Sequence, residues 1–262
     1  MFMKKILVVS VKIVLLLFAG SILYEGCKPK GRNVENEDLA DKINILVSQH
    51  HERGAFDGTI LVADSSGVIF KGAYGLANQE RNIPLTTESQ FYLASVSKQF
   101  TAAAILMLVQ GGDIELDERI RTYLPELPEI YQEITFRNLL NHTSGIPDYY
   151  NFAKLFPGFT NSDVLNSLIT VEELEFEPGT QYRYSNSGYV LLSILVDRIS
   201  GSSFANFLKE NALQKAGIKN TVIYDQYADE PEYRVTGYGT DVKLTDYPFR
   251  TTGGGGIFSN VE

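Results

Sequence analysis

Residues 95–98 have the sequence SVSK, which places a serine three positions before a lysine. On a helix, residues three apart are neighbours, so the Ser95 hydroxyl and the Lys98 amine would lie one turn apart on the same face. A serine hydroxyl is a weak nucleophile that needs an adjacent base. The spacing therefore predicts a nucleophile, Ser95, with a candidate base, Lys98. The structural alternative is that Ser95 only caps the helix and that Lys98 is a solvated residue of its first turn.

The segment that follows Lys98 must position this pair. It has the sequence QFTAAAILMLVQ, which is apolar almost all the way round a helix, and it stops at Gly111 and Gly112. This pattern predicts a buried helix that ends at glycine. Ser95 would then lie at the positive end of the helix dipole. Backbone N–H groups there favour negative charge that develops on a substrate oxygen.

A second candidate pair lies at Tyr184 and Asn186, in the sequence YSN. In an extended loop, residues two apart point the same way, so both side chains can face one cleft. A phenol beside the Lys98 ammonium has its anion favoured, and an ammonium in desolvating surroundings loses its proton more readily. Either Lys98 or Tyr184 can then take the proton of Ser95.

Four segments in this order resemble the serine β-lactamase and penicillin-binding protein superfamily, in particular its class C β-lactamase-related branch. They are SVSK with its apolar helix, LLNHTSGIPDY at 139–149, EPGTQYRYSNSGY at 177–189 and GGGGIFSNVE at 253–262. The resemblance implies that Ser95 forms an acyl-enzyme, that Lys98 and Tyr184 share proton transfer, and that Asn186 positions the substrate. Which residue is the base is disputed in related enzymes, so the pair is assigned jointly.

The chain departs from the family pattern near its C-terminal end. Family members carry a Lys or His followed by Thr or Ser and Gly on a strand opposite the nucleophile, and that strand also supplies a second N–H to the oxyanion. No such triplet follows Asn186, and residues 235–237, VTG, lack the cation. Ser259 and Glu262 have the spacing of a capping box that starts a helix, although an ordinary frayed tail is the alternative. We therefore expect a fragment that lacks the C-terminal strands of its sheet.

Other motifs give weaker signals. Tyr149 and Asn151 form another YxN, but it follows the HTSG loop instead of the PGT turn. His142 suggests a triad member, yet the chain has no GxSxG sequence, so a supporting role is expected. The glycines at 253–256 lack the lysine of a phosphate loop, which favours a close-packed turn. Because HExxH is absent, we predict no metal and no cofactor.

Composition indicates a globular protein. The chain has 262 residues, of which 44% are hydrophobic and 21% charged, enough for a substantial core. Its formal charge is −9, and without residues 1–26 it becomes −11 because three lysines and one glutamate leave. A chain this acidic is a poor binder of nucleic acid. The resemblance implies a small-molecule or peptide substrate as the partner.

The N-terminus has the pattern of an export signal. Lys4 and Lys5 precede apolar runs, and polarity returns at Tyr24. A membrane-spanning helix is the alternative, but the uninterrupted apolar run falls short of about 20 residues. Cys27 resembles the lipid-modified cysteine of bacterial lipoproteins, although residues 19–21, AGS, offer a competing cleavage site. We expect export to the periplasm or a lipid anchor at Cys27 in the membrane of a bacterium.

The resemblance implies an α+β fold with the β-lactamase/DD-peptidase architecture, an antiparallel sheet flanked by helices plus an all-helical domain. A helix is expected at 35–53, and a β-hairpin follows with its turn at 64–67. The predicted divisions are a signal peptide at 1–26, a polar tether at 27–36, the first part of the α/β domain at 37–98, a mainly helical domain at 99–250 and a glycine-rich return segment at 251–262.

The function that we expect is that of an exported serine hydrolase. The resemblance supports β-lactams, D-alanyl peptides of the cell wall and carboxylic esters as substrates, and the sequence does not separate them. The alternative is a non-catalytic product, either a truncated pseudoenzyme or a surface binding module that keeps the helical domain. The missing third motif favours this alternative, while Ser95, Lys98, Tyr184 and Asn186 oppose it.

Overall fold

A computed structural model describes residues 34–238, 243–244 and 249–262. Its helices are α1 (Val34–Glu52), α2 (Lys98–Gly111), α3 (Phe136–Leu140), α4 (Asn161–Ile169), α5 (Asn186–Ser200) and α6 (Phe204–Leu208). Its strands are β1 (Gly58–Asp64), β2 (Gly67–Tyr74), β3 (Leu76–Asn78), β4 (Ile83–Pro84), β5 (Phe91–Tyr92), β6 (Val222–Ile223), β7 (Gly237–Tyr238), β8 (Lys243–Leu244) and β9 (Ile257–Ser259).

The predicted signal peptide at 1–26 and Cys27 lie outside the described residues. Export and lipidation therefore stay predictions, and so do the domain boundaries. No helix in the described part of the chain is both long and apolar enough to cross a membrane.

The first half of the α/β part matches the sequence prediction. Helix α1 packs against β2, and β1 pairs antiparallel with β2 from Gly58 opposite Tyr74 to Asp64 opposite Gly67. The Asp64 carboxylate accepts a hydrogen bond from the backbone N–H of Ser66 at 2.7 Å, which closes the turn. The predicted helix and hairpin are thus confirmed.

The strand nearest the end of the chain, β9, lies between β5 and β6 in a three-stranded antiparallel sheet. This pairing was not predicted from the sequence. Strands β5 and β6 have two residues each, too few to show a two-residue alternation of polarity. The pairing fixes the segment before β9, where the glycine run lies.

The capping box predicted at Ser259 and Glu262 stays a prediction, because the body of the helix that it would start lies outside the described residues. Ser259 ends β9, and its hydroxyl lies 2.7 Å from that of Thr221. The Glu262 carboxylate accepts hydrogen bonds from Lys71 on β2, at 2.7 and 2.8 Å, and from Thr87 at 2.6 Å. Both side chains thus have tertiary partners in this structure.

Helix α2 follows a 3₁₀ turn at Ala94–Ser97 and ends at Gly112, which has a φ of +80°. Its buried positions include Thr101, Ala104, Ile105 and Leu108, whereas Leu106 is 46% exposed. The helix is therefore buried on one face and not all the way round. The end at glycine is as predicted.

Helix α5 forms the centre of the helical part. Every residue from 187 to 196 is buried, and the helix packs against α2, α3, α4 and α6. Ser185 caps its first turn by accepting from the N–H of Gly188 at 3.4 Å. Because α5 begins at Asn186 and packs on α2, its first residue lies beside Lys98.

One carboxyl group on α5 is partly buried, without a cationic partner among the described residues. Asp197 accepts a hydrogen bond from the backbone N–H of Phe204 at the start of α6. Burial raises the pKa of Asp197 to about 6, and the nearby Asp225 charge contributes in the same direction. Since the pKa in the folded state lies above its unfolded value, this carboxyl stabilises the fold at low pH, and the stabilisation is lost as pH rises through about 6.

We expect Asp197→Asn to unfold at higher urea concentration than the parent at pH 8, because the amide keeps an acceptor for the Phe204 N–H without a buried charge. The gain in the free energy of unfolding should be about 1–3 kcal/mol and should vanish near pH 4. Asp117→Asn is the control, and its effect on the free energy of unfolding should have the opposite sign. The hydrogen bond from Arg137 lowers the pKa of Asp117, so loss of that charge should destabilise the protein at pH 8. A gain for Asp197→Asn that is independent of pH would contradict the prediction.

Candidate active site

The Ser95 hydroxyl lies at the mouth of a cleft, within reach of two groups that can accept its proton. Its Oγ is 2.7 Å from the Tyr184 hydroxyl and 3.3 Å from Lys98 Nζ. Ser95 lies inside the 3₁₀ turn and does not cap it, since the turn begins after Leu93 and α2 begins after Ser97. The interpretation of Ser95 as a mere helix cap is therefore wrong.

Lys98 is buried, with 7% of its surface exposed, so it is not a solvated first-turn residue. Its Nζ donates to three oxygens: Ser95 Oγ at 3.3 Å, Asn186 Oδ1 at 2.8 Å and the Gly254 carbonyl at 2.7 Å. Burial lowers the pKa of Lys98, while the hydrogen bond and charge of Tyr184 oppose that change. A neutral amine, which is a base, is thereby favoured relative to an exposed lysine.

Tyr184 lies between Lys98 and His142. Its ring centroid is 4.8 Å from Lys98 Nζ and 4.4 Å from the His142 ring, which is inclined by 33°. His142 Nδ1 accepts the N–H of Ser185 at 3.2 Å, which places the imidazole proton on Nε2 when the ring is neutral. Burial lowers the pKa of His142, and the Lys98 charge lowers it further. The supporting role expected for His142 fits this position behind Tyr184.

Asn186 connects Lys98 to a carboxylate that the sequence analysis did not single out. Asp148 Oδ2 accepts from both the backbone N–H and the side-chain Nδ2 of Asn186, each at 2.8 Å. Asp148 Oδ1 also accepts from the N–H of Tyr150 at 3.1 Å. Asp148 lies in the HTSGIPDY segment on which the family resemblance rests in part. Its membership of that segment was the signal in the sequence that could have found it.

The glycine run completes the wall behind Lys98. Gly253 has a φ of +88°, and a Cβ there would lie 2.1 Å from the Tyr189 carbonyl oxygen. Its own carbonyl accepts from the Thr101 hydroxyl at 2.8 Å. The predicted close-packed turn is confirmed, and it presents the Gly254 carbonyl to Lys98.

A cleft of about 270 Å³ opens beside these groups. It is lined by Tyr92, Ala94, Ser95, Tyr149, Tyr150, Asn186, Val190, Thr251, Gly254 and Gly255. The second YxN thus lies at the cleft, although its Tyr149 is buried and stacks on Tyr150 at 4.4 Å. A larger cavity of about 910 Å³ lies around Lys209 and Tyr227 and is lined by none of the four predicted residues. The smaller cleft is the candidate site because Ser95 and Asn186 line it.

The structure brings Ser95, Lys98, Tyr184 and Asn186 together, as their motifs predict. Their catalytic and binding roles stay predictions. The arrangement supplies an exposed hydroxyl, a buried amine and a phenol within one hydrogen-bonded group. It is therefore suited to nucleophilic attack by Ser95 with proton transfer through its neighbours.

Comparisons with known proteins bear on the family and the fold of the chain. The family model described as Beta-lactamase matches residues 39–262. Penicillin-binding protein 4* of Bacillus subtilis (strain 168) is 35% identical over 206 residues, which are 75% of this chain and 45% of that protein. The chain thus spans less than half the length of this relative.

Solved structures share the fold. The octameric penicillin-binding protein homologue from Pyrococcus abyssi superposes with a TM-score of 0.72 at 25% identity, over 86% of this chain and 54% of that one. A D-amino acid amidase from Ochrobactrum anthropi SV3 gives a TM-score of 0.71 at 26% identity, over 85% of this chain and 66% of the amidase. The predicted α+β fold of the β-lactamase/DD-peptidase type is confirmed.

We expect Gly253→Ala to lower the free energy of unfolding by about 2–5 kcal/mol, because a left-handed backbone and a steric clash add together. Gly158→Ala is the matched control, since Gly158 has a φ of +87° but nothing within 4 Å of its Cβ position. The control should lose only about 1–2 kcal/mol. Urea unfolding of both variants measures the difference, and equal losses would contradict the packing assigned to Gly253.

Proposed function

Because the chain belongs to the beta-lactamase family, we propose that it is a serine hydrolase that forms an acyl-enzyme on Ser95. The proposed substrates are amides or esters, including β-lactams and D-alanyl peptides. The observation that carries the proposal is the position of Ser95 Oγ, 2.7 Å from the Tyr184 hydroxyl and 3.3 Å from Lys98 Nζ. The amidase among the structural neighbours supports the amide class.

The contacts of Lys98 favour it as the base for the first step. Carbonyl oxygens only accept hydrogen bonds, and a neutral amine has two N–H donors and one lone pair. When Lys98 is neutral, its donors go to Asn186 Oδ1 and the Gly254 carbonyl, so its lone pair is left for Ser95. Burial, which lowers the pKa of Lys98, increases the neutral fraction.

The proposed reaction has two halves. Ser95 Oγ attacks the substrate carbonyl carbon while its proton passes to Lys98, and the Ser95 backbone N–H stabilises the oxyanion. The bond to the leaving group then breaks, and Tyr184 delivers a proton to the departing nitrogen or oxygen while Lys98 restores the proton of the phenol. Water next attacks the acyl carbon while the same pair takes its proton. That proton passes to Ser95 Oγ as the bond between Oγ and the acyl carbon breaks, so the acid departs and Ser95 is free again.

A fluorophosphonate probe tests the nucleophile. We expect the parent protein to be labelled at Ser95, as located by peptide mass spectrometry, and Ser95→Ala to remain unlabelled. The matched control is Ser97→Ala, because the Ser97 hydroxyl is buried and has no hydrogen-bond partner among the described residues. This control should keep the labelling rate of the parent. An unlabelled parent would favour the non-catalytic alternative.

The rate of labelling should depend on pH through Lys98. Only the neutral amine is a base, so the rate should rise with pH and reach half its maximum below the ordinary lysine pKa of about 10.4. Lys98→Arg keeps a permanent charge and should lower the maximal rate by about 100- to 10,000-fold. A rate that does not change between pH 5 and 9, with Lys98→Arg as fast as the parent, would exclude Lys98 as the base.

Substrate class is tested by direct hydrolysis. A chromogenic β-lactam, a D-Ala-D-Ala peptide, a D-amino acid amide and a short-chain nitrophenyl ester should be compared by kcat/KM. We expect turnover of at least one of them by the parent and by Ser97→Ala, and none above background by Ser95→Ala. Turnover that survives in Ser95→Ala would place the chemistry elsewhere.

A further inference from the structure

Asp148 contacts the candidate site through Asn186 and has no role in the proton transfers described above. It follows the HTSGIP sequence in the loop between α3 and α4 and is half-buried. One carboxylate oxygen, Oδ2, holds two N–H groups of Asn186, and the other, Oδ1, holds the N–H of Tyr150. Both carboxylate oxygens thus accept hydrogen bonds from residues that line the cleft.

These contacts fix which way the Asn186 amide faces. An amide side chain has one end that only accepts and one end that only donates, whereas a carboxylate only accepts. The end that faces Asp148 Oδ2 at 2.8 Å must therefore be the nitrogen, Nδ2. The oxygen, Oδ1, is then the end that faces Lys98 Nζ at 2.8 Å.

The orientation of the amide controls what the Lys98 lone pair can do. With Oδ1 toward Lys98, the neutral amine donates to Asn186 and Gly254, and its lone pair remains available to the Ser95 hydroxyl. With the amide reversed, Nδ2 would donate to that lone pair and compete with Ser95. It would also repel the ammonium that forms when Lys98 takes the proton.

We infer that Asp148 is a positioning residue that holds the Asn186 amide in one orientation and thereby directs the Lys98 lone pair at Ser95. This inference rests on the proposed function for its catalytic consequence. The orientation itself follows from the contacts of Asp148, Asn186 and Lys98 alone.

The charge of Asp148 provides a measurable test of the inference, because it acts on the pKa of Lys98. A carboxylate that only capped a turn away from the site would not change that pKa. Lys98 is faced by Tyr184 and His142, by the Tyr189 ring at 5.4 Å, and by Asp148 through Asn186. Burial lowers the pKa of Lys98, and Tyr184 and then Asp148 oppose that effect. Removing the Asp148 charge should therefore lower the pKa of Lys98 further.

The first variant is Asp148→Asn, which keeps the size of the side chain but adds a donor, so that the Asn186 amide can reverse. We expect its maximal rate of fluorophosphonate labelling to fall by about 10- to 100-fold, as for a misplaced reacting group. The Lys98 pKa should fall as well, measured from the ¹⁵Nζ shift in protein with ¹⁵N-labelled lysine and assigned by loss of the signal in Lys98→Arg. The NMR titration does not require the protein to be active.

The matched control is Asp163→Asn. Asp163 accepts the N–H and hydroxyl of Thr160 at 2.8 and 2.7 Å in the capping box of α4, so it is a structural carboxylate outside the site. We expect Asp163→Asn to lower the urea midpoint while leaving the labelling rate and the Lys98 pKa unchanged. An equal loss of rate in both variants would overturn the inference.

The double variant Asp148→Asn with Asn186→Asp exchanges donor and acceptor and tests the orientation directly. The amide introduced at position 148 can donate to the carboxylate introduced at position 186, so an oxygen faces Lys98 again, while the backbone N–H of residue 186 loses Oδ2 as its acceptor. We expect part of the maximal labelling rate to return, with the pH profile moved to higher pH because the negative charge now lies next to Lys98. A double variant no faster than Asp148→Asn would overturn the inference.

Different experimental outcomes would contradict the inference about Asp148 and the proposed hydrolase function. A parent protein that is not labelled at any pH would count against the hydrolase, and the Lys98 titration would then decide the role of Asp148 alone. An unchanged pKa of Lys98 in Asp148→Asn, together with an unchanged labelling rate, would overturn the inference while the hydrolase stood.

Discussion

The burial of Lys98 is the constraint on which the rest of the site depends. A buried amine is costly unless hydrogen-bond partners compensate for lost water. The partners of Lys98 come from three segments that are distant from one another in the sequence: the turn before α2, the first residue of α5 and the glycine run before β9. Helix packing and sheet pairing must therefore both be complete before the amine is compensated. The fold and the site consequently depend on the same requirement: these three segments must meet at Lys98 Nζ.

This convergence requires backbone geometry that ordinary residues adopt at a cost. Among the described non-glycine residues, Asn82, Ala94 and His142 have positive φ, and the last two adjoin the site, one before Ser95 and one beside Tyr184. Strain of about 1–3 kcal/mol per residue persists only where the surroundings hold it in place. Here α2, α5 and their hydrogen bonds supply those surroundings. Ser95 and Tyr184 are thus held by packing that also accommodates the strain, which favours a preorganised site over one assembled when substrate arrives.

The spacing of residues along the chain was sufficient to predict the two pairs of site residues. Contacts between distant segments could not be predicted in this way. Ser95 with Lys98, and Tyr184 with Asn186, follow from helical and extended periodicity and from the resemblance of their motifs. Asp148 was missed because its role depends on Asn186, 38 residues away in the sequence. The pairing of β9 with β5 and β6 was not predicted for a related reason, since β9 joins strands separated from it along the chain and too short to show a pattern.

The two basic groups on either side of Tyr184 limit the charge that the site can hold. Lys98 Nζ lies 4.8 Å from one side of the phenol ring, and the imidazole of His142 lies 4.4 Å away. The Lys98 charge lowers the pKa of His142 in addition to the effect of burial, so protonation of one group opposes protonation of the other. The Ser185 N–H adds a geometric restraint, because it occupies the nitrogen that would have to take the proton. A neutral His142 therefore leaves Lys98 as the basic group beside Tyr184 that can change its charge, and in the proposed mechanism the proton that Ser95 releases goes to neutral Lys98 or to the phenol system of Tyr184.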